Sequence, residues 1–302
     1  MEVKKVSKKG FSLLKLTVLE FIEDNGMKLS ASLSYYTIFS LPPLMIIIIS
    51  VAGMFFGKDA VTGEFFGQIN GLVGNAAALQ IQEAIKNVEL SGNNTFATTI
   101  GIIMLLVGAS GVFAEIQSSI NFIWGLKARP NRGLMKFIRN RLMSFSMIAS
   151  VGFLLLVSLM MNTLMDVMNK RLLLYFPEMT FYVFYVLNMI VVFLIITSLF
   201  SIIFKSLPDG EIRWKDSLIG AGFTSIFFML GKFAIGAYLG SSTIASVYGA
   251  AGSVIVILIW VYYSAIILYF GAEFTKVYAR EYGDEIVPNP YSVKIFKQEV
   301  EL

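Results

Sequence analysis

Long, continuously apolar runs alternate with short polar connections along this chain. The runs lie at roughly 30–56, 98–116, 142–162, 181–204, 217–239 and 249–273. Each is at or beyond the ~20 residues that carry a helix across ~30 Å of hydrocarbon. Barrel strands would instead alternate polar and apolar positions over ~10 residues. The pattern predicts an all-α, polytopic membrane protein with six transmembrane helices in one bundle. Six spans in 302 residues leave no room for a separate soluble domain. The expected organisation is therefore one membrane domain over 1–302, with a cytoplasmic amphipathic segment at 1–29 and a cytoplasmic tail at 274–302.

The basic residues orient these spans. Of the 24 Lys and Arg, 19 fall in 1–29, 125–141, 205–216 and the segment after 273, whereas 4 fall in 57–95, 163–180 and 240–248. Only Lys232 lies within a run. Basic loops stay on the cytoplasmic side, so both termini are expected there. The first run is too long for a cleaved signal sequence and reads as an uncleaved anchor. The expected location is a membrane, crossed several times.

Within 1–29, Lys4, Lys5, Lys8 and Lys9 precede Phe11, Leu14, Val18, Phe21 and Ile22 at helical spacing. That spacing predicts an amphipathic helix on the inner membrane surface. A basic tail with a short surface helix needs no role beyond orientation, and that reading is preferred. Residues 63–73 and 75–90 read as two short helices, an external cap after the first span. Gly63, Gly67 and Gly71 give the first of them a small face for close packing. After residue 273 the chain turns polar, with Pro288 and Pro290, and is expected to extend the helix before a mobile tail.

Composition fits this class: 56% hydrophobic residues, 15% charged residues and a mean hydropathy of +0.73. The net charge of +4 resides in the cytoplasmic segments, where topology and anionic headgroups account for it, so no nucleic-acid partner is expected. The chain contains neither Cys nor His. Disulfides, thiol redox chemistry and His/Cys metal sites are thereby excluded, as is the commonest neutral-pH general base. No catalytic residue, metal or cofactor is expected, and no phosphate-binding G-x-x-x-x-G-K-[ST] loop is present.

Ionisable residues inside spans are costly and point toward function. Glu115, Lys232 and Glu273 are the candidates. Lys232 lies toward the outer side, where its stem can snorkel or its ammonium can face a polar cavity. Gly236 and Gly240 form a G-x-x-x-G nearby, for helix packing. Glu115 precedes a polar stretch (Gln117, Ser118, Ser119, Asn121) that ends at Trp124, and is interfacial or deep depending on where the helix leaves lipid. Glu273 closes the sixth span three residues before Lys276, a spacing suited to an intrahelical ion pair. Glu115 and Glu273 belong to the same inner half and are candidates for a shared vestibule. Pro42 and Pro43 should bend or break the first span, which can mark a transporter site or a plain kink.

The stretch 30–43 (Ser-Ala-Ser-Leu-Ser-Tyr-Tyr-Thr-Ile-Phe-Ser-Leu-Pro-Pro) resembles the opening signature of the YihY/BrkB family of bacterial inner-membrane proteins. Val247-Tyr-Gly-Ala-Ala-Gly-Ser, Trp260-Val-Tyr-Tyr-Ser and Gly271-Ala-Glu-Phe are similar to further family motifs, so the resemblance covers roughly 20–280. It implies six spans with cytoplasmic termini. It places Tyr35, Tyr36, Ser40, Pro42, Pro43, Tyr248, Ser253, Trp260, Tyr263 and Glu273 at family positions, with Gly249 and Gly252 allowing close packing. The hydroxyls suit either a polar solute or interhelical hydrogen bonds. Some members carry the label ribonuclease BN, but a metallonuclease needs clustered His/Asp/Glu ligands that this sequence lacks.

The expected function is a transporter or permease for a small solute or lipid-like molecule. The alternative is a membrane scaffold or envelope assembly factor. Expected partners are membrane lipids and a small-molecule substrate, with a homo-oligomer left open.

Overall fold

The computed structural model describes residues 2–40, 111–129, 177–241 and 252–295. The external cap at 57–95, the third span, Pro42, Pro43, Tyr248 and Gly249 lie outside the described residues, as do most of the second span and of the basic loop at 125–141. Six helical segments appear among those described: α1 (Glu2–Glu23), α2 (26–40), α3 (111–123), α4 (Pro177–Ser206), α5 (Trp214–Ser241) and α6 (Gly252–Tyr282). Among the described residues, two helical stretches are long and apolar enough to cross a membrane, Val186–Ser206 and Ile257–Tyr282.

Local chemistry sets the helix ends. Pro177 opens α4, a first-turn position where its missing N–H costs nothing. Lys205 in its last turn complements the helix dipole. Asp216 does the same at the start of α5. Asn25, with φ of 55°, turns the chain between α1 and α2, and Gly125, with φ of 65°, ends α3. Helix α6 runs nine residues past the end of the apolar run at 273, which is the helical extension expected there. Lys276 and Arg280 depress hydropathy there, yet their positions continue the helix because α1 packs on that extension.

A reciprocal seam joins α5 to α6, which run antiparallel. Thr275 sits on Gly220, and Thr224 sits on Gly271; a Cβ on either glycine would fall 1.9 Å from the facing threonine Oγ1. Each threonine donates its hydroxyl to the carbonyl one turn earlier in its own helix, at 2.7 Å for Thr224 to Gly220 and 2.6 Å for Thr275 to Gly271. The hydroxyls are thus satisfied while the backbones approach closely, as membrane helices require. Farther along the same seam, Tyr263 lies against Gly231. Phe223 stacks on Phe274 beside it. Helix α4 is tied to α5 by Ser217, which donates to the Ser201 carbonyl at 3.0 Å.

The main core gathers at one end of the bundle, here termed basal, where α1, the 207–213 connection and the C-terminal segment meet. Ile120, Ile123, Phe204, Leu207 and Tyr269 are buried there. Two short antiparallel pairs close this end: β1 (Leu126–Ala128) with β4 (Ser292–Lys294), and β2 (Gly210–Glu211) with β3 (Val287–Pro288). These strands, two or three residues long, are an addition to the expected all-α reading. They also correct the expected mobile tail, because residues 283–295 form an ordered strap across two connections. Backbone hydrogen bonds fasten it further, from Arg129 N to Tyr291 O at 2.8 Å and from Ile295 N to Gly125 O at 2.7 Å.

Candidate functional site

The densest charged cluster among the described residues is built around Lys276 of α6. Its Nζ lies 2.5 Å from Glu273 Oε1, 3.0 Å from Glu20 Oε2 and 3.2 Å from Asp24 Oδ2. It also donates to the Ile123 carbonyl at 2.9 Å. One ammonium thereby joins α1, the α1–α2 turn, the end of α3 and α6. The Ile123 carbonyl is free for this contact because it lies in the last turn of α3, beyond the intrahelical ladder. Arg280, one turn on, donates to Glu20 Oε1 at 2.6 Å. Burial raises the pKa of Glu20, but hydrogen bonds from Arg280 and Lys276 and their charges outweigh it, holding this carboxyl below its ordinary value of 4.5.

Glu273 is the most sheltered member, with a side chain 0% exposed. Neither of its oxygens accepts an aligned hydrogen bond among the described residues, so the ion pair with Lys276 is its principal compensation. One turn earlier, Tyr269 is also fully buried. Its hydroxyl lies beside Ser119 and within electrostatic reach of Glu115, without an aligned hydrogen bond. Tyr269 thus shares α6 with Glu273, one turn away, with its hydroxyl directed to the Glu115–Ser119 side of α3. Trp124 anchors the same junction, its Nε1 donating to the Ala272 carbonyl at 3.0 Å.

A second polar cluster holds the strap. Asp209 is buried; its two carboxylate oxygens accept from Gln117 Nε2 at 3.2 Å and Asn121 Nδ2 at 3.0 Å. Its own N–H donates to Asn121 Oδ1 at 2.7 Å, and its carbonyl accepts from Ser292 Oγ at 2.6 Å. The polar stretch after Glu115 thus serves as an internal socket for the α4–α5 connection.

The remaining candidates are dispersed. Ser40 is buried and donates to the Tyr36 carbonyl at 2.9 Å, whereas Tyr35 and Tyr36 are exposed. Ser30, Ser34 and Thr37 likewise bond back to their own helix, giving α2 a hydroxyl-bearing inner face. Lys232 is half-buried and makes no ion pair among the described residues. Tyr263 belongs to the α5–α6 seam, where a Cβ on Gly231 would fall 1.3 Å from its Oη. Gly236 and Gly240 lie on α5, and Gly252 and Ser253 begin α6. Glu20, Asp24, Tyr269 and Asp209 were not singled out by the sequence. Glu20 and Asp24 sit in a surface-helix pattern that a solvated face would equally produce. Only the Asp-Gly turn at 209–210 signals a special backbone position.

The sequence matches the family described as Virulence factor BrkB over residues 17–295. A UPF0761 membrane protein of Saccharophagus degradans is 27% identical over 268 residues, covering 86% of this chain and 58% of that protein. One of Psychrobacter is 23% identical, covering 92% of this chain and 50% of its own length. One of Haemophilus influenzae is 26% identical over 289 residues, covering 93% and 99%. The chain thus spans about half of the first two relatives and nearly all of the third. No solved structure matches. The motifs at 30–43, 247–253, 260–264 and 271–274 fall within the matched region, and the chain belongs to the Virulence factor BrkB family of membrane proteins.

Proposed function

We propose that the chain is a six-span protein of a bacterial inner membrane, with both termini and the basal end in the cytoplasm. In this reading it is a transporter of a small solute or lipid-like molecule rather than an enzyme. The distribution of Lys and Arg supports the orientation. The observation that carries the transport reading is Glu273, a fully buried carboxylate compensated chiefly by an ammonium it shares with Glu20 and Asp24. Its burial is costly, and a bundle with a purely structural role would be more stable with apolar residues there. The neighbouring Tyr269 hydroxyl continues a polar track toward Glu115. Such a track suits a polar solute or coupling ion entering from the basal side.

The test is solute flux in proteoliposomes, comparing the unmodified protein with Glu273→Gln and Glu115→Gln. Reduced flux with an intact fold supports the reading; unchanged flux in both variants removes this track from the transport route. Membrane lipids and the solute are the proposed partners, without nucleic acid.

A scaffold reading draws on a separate observation. Val287, Val293 and Ile295 leave apolar side chains exposed on the basal strap, a surface suited to protein contacts. A Val287→Lys/Val293→Lys variant that keeps flux but loses its cellular phenotype would favour that reading.

A further inference from the structure

Helix α1 has two apolar stripes, of which the bundle uses one. Leu13 and Phe21 are buried, with Thr17 between them, and Phe21 meets the edge of Phe270 on α6 at 5.6 Å. Glu20 on this side of the helix joins the Lys276 cluster. The second stripe, Phe11, Leu14, Val18 and Ile22, recurs at i, i+3, i+7 and i+11 and is exposed, with Phe11 at 71% and Ile22 at 66%. Lys15 is exposed beside it and makes no ion pair among the described residues. Lys4, Lys5, Lys8 and Lys9 occupy the preceding turns of the same helix.

We propose that this second stripe docks α1 on an anionic lipid surface at the basal end of the bundle. Two features select lipid over other occupants. The first is charge: an apolar stripe with exposed Lys15 beside it, on a helix whose preceding turns carry four further lysines, matches acyl chains beneath phosphate headgroups, whereas a second copy of α1 would bring the same positive charge. The second is continuity. Ion pairs to Lys276 and Arg280 fasten α1 against the final turns of Ile257–Tyr282, one of the stretches suited to crossing the membrane. The stripe is therefore held where hydrocarbon gives way to headgroups. The inference does not depend on transport.

The chain has no Cys, so single nitroxide labels can be placed on the full-length protein through Phe11→Cys, Leu14→Cys, Val18→Cys and Ile22→Cys. Ser12→Cys and Glu23→Cys report the exposed flank about a third of a turn away. Collisions with oxygen and with an aqueous nickel chelate are compared in phosphatidylcholine vesicles with and without phosphatidylglycerol. The expected result is nickel accessibility about threefold lower along the stripe than on the flank in anionic vesicles, with a smaller contrast in neutral ones. Lys15→Glu should shrink the contrast in anionic vesicles only, and it perturbs no described contact. Stripe labels as open to nickel as Ser12 would overturn the proposal. So would labels shielded from both reagents and broadened by spins on a second copy.

Discussion

Replacing Lys276 by Met tests the basal cluster most directly. The substitution keeps a long apolar stem and removes the one ammonium that three carboxylates share. At 3.0 Å, the Glu20 separation, each pairwise attraction is about 5 kcal/mol at an effective dielectric constant near 20. Much of that is offset by the cost of desolvating the ions, so the mutation chiefly measures the penalty on the carboxylates left behind. Glu20 retains Arg280. Glu273 is fully buried and has no other cation among the described residues. Stranding such a group costs about 3–5 kcal/mol. Glu273→Gln removes the charge that would be stranded, so Lys276→Met/Glu273→Gln should recover at least about half of the loss. The assay is unfolding in mixed micelles followed by tryptophan emission, since Trp124 sits at the same junction. A single variant within about 1 kcal/mol of the unmodified protein, or a double variant no more stable than the single, would refute the assignment of Lys276 as the compensating charge.

Gly220→Ala and Gly271→Ala should each destabilise by about 1–3 kcal/mol through overpacking. Thr275→Ala should rescue the first and Thr224→Ala the second, while the crossed combinations should not; thermal unfolding reads the pattern. Asn121→Leu removes a reciprocal amide pair and leaves buried polar groups of Asp209 without that partner. The expected cost is about 1–3 kcal/mol, with faster proteolysis of the strap. Because the folded pKa of Glu20 lies below its ordinary 4.5, its stabilising contribution is complete above that pH and disappears as pH falls through the lowered value. Glu20→Gln should therefore flatten the acid limb of a melting-temperature profile.

The helices most legible in the sequence were those whose apolar length alone defines them. The runs at 181–204 and 217–239 lie within α4 and α5, extended by a turn or less at each end. The extension of α6 past the apolar run was also expected, and it forms as far as Tyr282; what the sequence did not show is that Lys276 and Arg280 on that extension are the contacts to α1. The Glu273–Lys276 pair follows from i,i+3 spacing, and it forms. Its enlargement by Glu20 and Asp24 does not follow, since those residues are some 250 positions away. The strap was read as a loose tail because Pro288 and Pro290 argue against regular structure and its strands are too short to show alternation. What orders it is backbone pairing with two distant connections and the Asp209 socket.

That strap has a consequence for how the protein is made. Among the described residues, 126–128 find their strand partner in 292–294, and 210–211 in 287–288. Helices of the bundle can insert in turn as the chain emerges, yet these two connections keep open backbone edges until residues 287–294 have left the ribosome. Closure of the basal end is thus a late, post-insertion event. Nascent chains stalled before about residue 290 should expose the 126–129 and 207–213 connections to protease even with every helix already in the membrane.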